Sequence, residues 1–487
     1  MVEKNYANID GEYELPKYYF PRRFLMIIFG FWAIVICYIL RVMISITVLP
    51  MKSEYNWTDS YKGILLSGFF MGYVVTQIPA HFLCERFGGK RVLLVGLTIS
   101  NICSILVPVG SNHAGVALII LRIFTGISQG ITFPTINWMI KRWFPTSQRS
   151  TSASIIWSGI YIGTIVIDTS APAIMNQVGW VFNYYIFGGI GMAWSIGWAI
   201  FIKDNPQDAW GIHPNEVALI KSDDDSLHAS LIKNQKSANG ASGGSYDSTS
   251  INVSPLSSSS SSVISSVSTG SSNSQVGGDL PYLVVCKALF SQSGIYVLLL
   301  YNLFSAFGFY FLLMWLPTWM ETELGTSKGG MFSFFIVLPY VLSFATSNIA
   351  GYLSDVFLAK GVRKIVLRKI FGGLAAIIPG VLLLIICFVP MAKGLKVALM
   401  TINIAANGFS ASGSNILTLD LSPTYAAITM GISNFVGTIP GILSNLIGGM
   451  LIERFAGSFV PIFTISASLY LGATFIWVIF AKTDTVV

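Results

Sequence analysis

Charge is scarce in this sequence. Of 487 residues, 29 are Lys or Arg and 22 are Asp or Glu, about a tenth of the chain, against roughly a quarter in soluble domains. With 53% apolar residues, that scarcity excludes an ordinary soluble enzyme. Cysteine is scarce as well. Cys37, Cys84, Cys103, Cys286 and Cys387 are odd in number, lack a CxxC pair and fall mostly inside or at the ends of apolar runs. They read as small buried side chains rather than a disulfide framework. No nucleophile–base pair and no metal cluster is visible, so neither an enzyme nor a cofactor is expected. The N-terminus is polar over some 20 residues, so no cleavable signal peptide is expected.

Long apolar runs, by contrast, are abundant. A helix needs about 20 apolar residues to cross the hydrocarbon core, and only helices or closed barrels satisfy their backbone there. The runs do not alternate, so the expected fold is all-α and integral to the membrane. Twelve spans are read at 24–49, 63–83, 92–109, 115–140, 152–175 and 182–202, then 294–318, 330–352, 365–388, 396–420, 425–450 and 459–481. The expected organisation is a tail at 1–23, a six-helix bundle at 24–203, a loop at 204–285, a second six-helix bundle at 286–481 and a tail at 482–487. The loop carries Asp223-Asp224-Asp225 and the tract Ser257–Ser262; it is too polar to bury a core and is expected to be disordered. Two six-span halves suggest an internal repeat, a common transporter plan.

Lys and Arg set the orientation. With both termini cytoplasmic, inside segments hold 21 of them and outside loops six: Lys52, Lys62, Lys328, Lys393, Lys396 and Arg454. This bias accounts for the net charge of +7 without a nucleic-acid partner. The first outside loop carries Asn56-Trp57-Thr58, so Asn56 is a candidate glycosylation site, whereas Asn252-Val-Ser254 lies in the cytoplasmic loop. Tyr6-Ala-Asn-Ile9 has the form of a sorting signal. An endolysosomal or vesicular membrane and the plasma membrane both fit.

Three charges lie well inside spans: Arg41, Arg122 and Asp168. Charges at that depth are costly, and they are functional or paired. At about 1.5 Å per residue, all three lie about 10–12 Å below the outer surface. Two arginines and one aspartate leave an excess positive charge, which reads as an anion site, because guanidinium grips carboxylate or phosphate through paired hydrogen bonds and keeps its proton. The alternative is an Asp168–arginine pair that holds helices together. Asp168 is also the candidate proton carrier. In span 4, Arg122, Gly126 and Gln129 fall at i, i+4 and i+7, one stripe.

These residues lead to a family. The chain resembles a major facilitator superfamily transporter of the solute carrier family 17 branch, the anion:cation symporters that include sialin, phosphate and vesicular glutamate transporters. The charged loop after span 2, His81 to Glu85-Arg86-Phe-Gly88-Gly89-Lys90-Arg91, resembles the superfamily's gating loop, and Gly351-Tyr-Leu-Ser-Asp355 resembles its second copy. Arg41-Val-Met-Ile-Ser45, Phe69 to Pro79, Phe309-Tyr310 to Pro317, Asn415 to Asp420, and Met430 to Thr438 resemble the branch's spans 1, 2, 7, 10 and 11. The resemblance implies twelve helices in two bundles, alternating access, and a small anionic substrate held by Arg41 and Arg122. Tyr73, Gln129, Tyr310 and Asn434 are the other expected lining residues. Glu85, Arg86, Lys90, Arg91 and Asp355 are the expected gating residues.

The departures carry information too. Gln129 stands where many relatives have a glutamate, and Leu40 stands where several have an aspartate. The family's usual proton carriers are therefore absent. Three expectations follow: Asp168 carries the proton, another ion such as Na+ or the membrane potential drives transport, or the protein is a uniporter. Leu66 and Ser305 occupy places where the glutamate branch has a histidine and an arginine, which argues against vesicular glutamate transport. A monomer in the lipid bilayer is expected. The rival classes are a non-transporting sensor or scaffold on a transporter fold and a chloride-conducting channel.

Overall fold

The computed structural model describes residues 19–111, 115–220, 289–325, 330–421 and 426–481. Among these residues there is helix and no strand. Span 1 is one helix, Arg23–Tyr55. Span 2 is Asp59–Gln77 followed by Pro79–Phe87, bent by 57°. Pro79 causes the bend, since it lacks the N–H that would continue the ladder and its ring clashes with the preceding turn. Span 3 is Gly89–Ser111. Span 4 joins Val116–Gly130 to Thr132–Trp143, span 5 joins Thr146–Trp157 to Gly159–Val178, and span 6 is Val181–Phe201.

The second half repeats the plan. Spans 7, 8 and 9 are Ser293–Leu324, Gly330–Ala359 and Lys364–Phe388. Span 10 is interrupted: Lys393–Ala406 passes through a tight 3-10 turn, Asn407–Ala411, before Ser414–Leu421. Spans 11 and 12 are Ala426–Arg454 and Val460–Phe480. Among the described residues ten helices are long and apolar enough to cross a membrane unaided, and the bent pair of span 2 makes eleven. The interrupted span 10 is the twelfth.

Each half packs on itself, and the two meet along spans 2 and 11, 5 and 8, and 1 and 7. Within the first half, spans 2 and 4 approach backbone to backbone. A Cβ on Gly126 would collide with the carbonyl of Phe69, and one on Gly72 with that of Ile123. Only glycine permits this approach, and it carries Arg122 alongside span 1.

Two stretches depart from the sequence reading. Residues 204–220, read as the start of a disordered loop, contain a 3-10 turn at Pro206–Asp208 and a helix at 214–220. Buried Glu216 accepts the backbone N–H groups of Arg22 at 3.0 Å and Arg23 at 3.1 Å, and the Tyr19 hydroxyl at 2.5 Å. The carboxylate thus satisfies donors that a helix start leaves unpaired. Burial, then the bond to Glu216, pushes the Tyr19 hydroxyl up to about 12. The rest of the loop, with Asp223–Asp225 and Ser257–Ser262, lies outside the described residues. The second departure is Lys62, counted above as a loop residue. It lies in the first turn of span 2 and is fully buried.

Candidate functional site

Arg41, in the middle of span 1, is 2% exposed. Its guanidinium lies 4.6 Å from the ring centroids of Tyr38, Phe69 and Tyr73. Tyr38 is one turn back on the same helix, and Phe69 and Tyr73 are one turn apart on span 2, so helical spacing builds three walls of the cluster. The two span 2 rings stack at 5.5 Å. Tyr310 supplies a wall from the other half: it packs against Phe70 at 4.8 Å and lies within electrostatic reach of Arg41. No carboxylate ion-pairs with Arg41 among the described residues, and its Nε has no hydrogen-bond partner. Cation–π contact compensates part of the desolvation of such a charge, and the Tyr73 hydroxyl is its one side-chain hydrogen-bond partner among the described residues, while Nε is left unused.

Arg122 is 3% exposed and adjacent, but differently held. Its Nη1 donates to the Leu40 carbonyl at 3.2 Å and its Nη2 to the Arg41 carbonyl at 3.3 Å. It also lies 5.3 Å from the Phe69 ring centroid. The two arginines therefore share one aromatic ring, and Arg122 fastens the backbone that carries Arg41.

The third charge is elsewhere. Asp168 forms no ion pair with either arginine, so the alternative of an Asp168–arginine bridge is not what the described residues show. It is 2% exposed, and its Oδ1 lacks a hydrogen-bond partner. Its electrostatic neighbour is Tyr340 on span 8, across the contact between the halves. Equal depth on two helices does not fix which neighbour each side chain faces, which is why the three-charge constellation separates.

The remaining candidates divide. Gln129 is fully buried and donates to the Ser100 hydroxyl on span 3 at 2.9 Å. Its Oε1 has no hydrogen-bond partner among the described residues, and it lies in the packing of the first half rather than among the rings around Arg41. Asn434 is half-buried on span 11, where its carbonyl accepts the Thr438 hydroxyl at 2.7 Å. Gln77 then donates to Thr438 at 3.0 Å, a polar link between the halves. Asn302 and Ser433 bond at 2.5 Å.

The charged loop after span 2 is engaged within its own half. Glu85 accepts the Trp138 indole N–H at 2.5 Å and lies 3.7 Å from Arg142. The Lys90 backbone N–H reaches Asp204 at 2.7 Å, and its Nζ reaches the Ala199 carbonyl at 2.6 Å. Arg86 sits over Phe87 at 5.4 Å, and Arg91 is exposed. Asp355 is exposed and makes no hydrogen bond or ion pair among the described residues. In the second half the held acid is Asp420, which pairs with buried Arg368 at 2.8 Å. Arg368 also donates to Ser354 and to the Ser412 carbonyl. Its position inside the span read at 365–388 was the available signal. Asn56 is exposed at the end opposite the start of span 1, in a left-handed conformation after span 1, and Thr58 caps the next helix.

Comparison with known proteins agrees with this architecture. The model of the family described as "Major Facilitator Superfamily" matches residues 30–445. An ascorbate transporter of Arabidopsis thaliana chloroplasts is 26% identical over 100% of this chain and 79% of its own length. A sodium-dependent phosphate transport protein from the same source is 26% identical over 96% and 81%. Among solved structures, a bacterial homologue of the human lysosomal transporter Spinster, inward-facing and occupied, superimposes with a TM-score of 0.66 at 13% identity, covering 96% of this chain and 98% of its own. A D-xylose–proton symporter gives 0.64 at 14% identity, covering 95% and 99%. With its two six-span halves meeting around a buried arginine cluster, the chain belongs to the major facilitator superfamily.

Proposed function

We propose that the protein transports a small organic anion by alternating access, with Arg41 as the principal anion-binding group. The observation that carries this reading is the state of Arg41. It is a permanent cation between the halves, walled by Tyr38, Phe69, Tyr73 and Tyr310, with no carboxylate partner among the described residues. An anion supplies the missing charge and takes up the unpartnered Nε of the guanidinium. Aromatic walls favour a carboxylate borne on a compact carbon body over inorganic phosphate, because rings offer faces for C–H groups and few hydrogen bonds for a fully hydrated ion. Arg122 positions Arg41 through the two span 1 carbonyls.

The charge bias of the loops places both termini in the cytoplasm and the Asn56 end outside. In this orientation the outside is closed, because spans 2 and 11 touch there at Gly63 and Gly449. Asp168 is the candidate for coupling to a proton, since it faces the other half and no arginine holds it ionised.

The test is uptake into proteoliposomes of labelled ascorbate, glucuronate, sialic acid, glutamate and phosphate. At least one carboxylate is expected to enter saturably, and Arg41→Gln is expected to abolish its entry while leaving the amount of folded protein unchanged. Saturable phosphate uptake without any carboxylate uptake would reverse the choice of substrate class. Normal uptake by Arg41→Gln would remove Arg41 from the site.

A further inference from the structure

Lys62 has no role in the reading above. It is 0% exposed, at the end of span 2 that adjoins the Asn56 turn. Its Nζ donates to the Thr318 hydroxyl and lies 4.5 Å from the Trp315 ring centroid, both on span 7 of the other half. No carboxylate lies within ion-pair distance among the described residues. Asp59 is taken by Lys52 at 2.6 Å, and Glu453 accepts the Ser60 backbone N–H at 2.8 Å.

The surroundings form a seam between the halves. A Cβ on Gly63 would lie 2.5 Å from the Asn445 carbonyl, and one on Gly449 2.5 Å from the Asp59 carbonyl. The Ser67 hydroxyl donates to the Ile442 carbonyl at 3.1 Å. Trp315 is fixed in turn by its indole N–H to Asn445 at 3.1 Å. The ammonium is therefore buried by contacts that exist only while spans 2, 7 and 11 are together.

We propose that Lys62 is a gating residue: closing this end of the path requires its ammonium to exchange water for one hydroxyl and one ring. An ammonium offers three donors, and dehydrating a charge is costly unless it is fully paired. The closed gate is thus held below its maximal stability, and the residue that limits it can be removed without a loss of volume. The exchange returns the molecule to the open state for another cycle. This inference rests on the alternating-access reading but not on any substrate or on Arg41.

The gate can be read with a thiol probe. Ser67→Cys places a thiol that is buried while the gate is closed. Its labelling by an uncharged, membrane-impermeant polyethylene-glycol maleimide is timed in nanodiscs, against full-length protein with Ser67 intact as the background. Lys62→Met, which keeps the length of the side chain and removes the charge, is expected to slow labelling several-fold. Thr318→Val, which takes the hydroxyl from the buried ammonium, is expected to speed it several-fold. In combination with Lys62→Met, Thr318→Val is expected to change nothing, which separates gate opening from an effect of the lysine on thiol reactivity. If Lys62 served only to pack the seam, Lys62→Met would label as fast as the parent or faster, and that result overturns the proposal. Equal effects of Thr318→Val in both backgrounds also overturn it. No labelling in any variant would remove the opening motion itself, and the proposal with it.

Discussion

The two buried arginines differ in what their removal leaves behind. Arg122→Ala withdraws two charge-assisted bonds from the Leu40 and Arg41 carbonyls, each worth roughly 1.5–3 kcal/mol. It is expected to lower thermal stability as well as transport. Arg41→Gln removes a cation held by aromatic rings and the Tyr73 hydroxyl and by no backbone carbonyl, so its thermal midpoint in detergent should fall less than that of Arg122→Ala while uptake is lost. A large fall in stability for Arg41→Gln, with none for Arg122→Ala, would exchange the two roles. Depth counting along the sequence located both residues, because burial of a charge in an apolar run is visible in one dimension. It did not reveal that one arginine binds backbone and the other rings, since that depends on helix rotation. Lys62 was misplaced for a related reason. It sits at the edge of an apolar run, where a lysine reads as loop, and only the contact with Trp315 and Thr318 shows it to be enclosed.

At the scale of elements, the twelve spans were legible because hydrocarbon thickness sets their length. Their breaks were not read, although the residue types that make them stand in the sequence. Pro79 marks the bend of span 2, and Asn407-Gly408 the interruption of span 10, both residue types that leave helical geometry readily. What the sequence hid was the pairing of elements distant in the chain. Glu216 caps the start of span 1 from 194 residues away in sequence. Glu216→Ala is expected to weaken the first half by about 0.5–2 kcal/mol, the range for a lost helix cap, read as an earlier unfolding transition with uptake kinetics kept in the surviving protein. Unchanged unfolding would show that the cap contributes nothing. The glycine approach of spans 2 and 4 gives a sharper case. Gly126→Val forces a side chain into the Phe69 carbonyl, and overpacking of this kind typically costs about 1–3 kcal/mol. Misfolded, aggregated protein on size-exclusion is the expected result, and a monodisperse, active variant would contradict the observed packing.

The whole molecule is two bundles whose shared surface carries three of the buried ionisable groups described above. Arg41 faces it with aromatic walls from both halves. Lys62 is enclosed by it at one end, and Asp168 meets Tyr340 across it. A rocking motion changes the surroundings of all three at once, which is the physical requirement for coupling an ion to a substrate. Gln129 and Leu40 stand where the resemblance expects proton-carrying acids, so the expected driving forces are a proton on Asp168, another ion such as Na+, or voltage. Moving one charge through the membrane is worth about 2.3 kcal/mol per 100 mV, so a net anion carrier needs no proton to concentrate its substrate. The proton and voltage cases separate in proteoliposomes. With a pH gradient and no potential, accumulation is expected in the parent and not in Asp168→Asn, while potential-driven uptake by Asp168→Asn continues. An Asp168→Asn variant that still accumulates substrate on a pH gradient would exclude Asp168 from coupling. A parent that responds to potential alone would make the protein a uniporter, in which the buried carboxyl serves the contact between spans 5 and 8 and carries no proton.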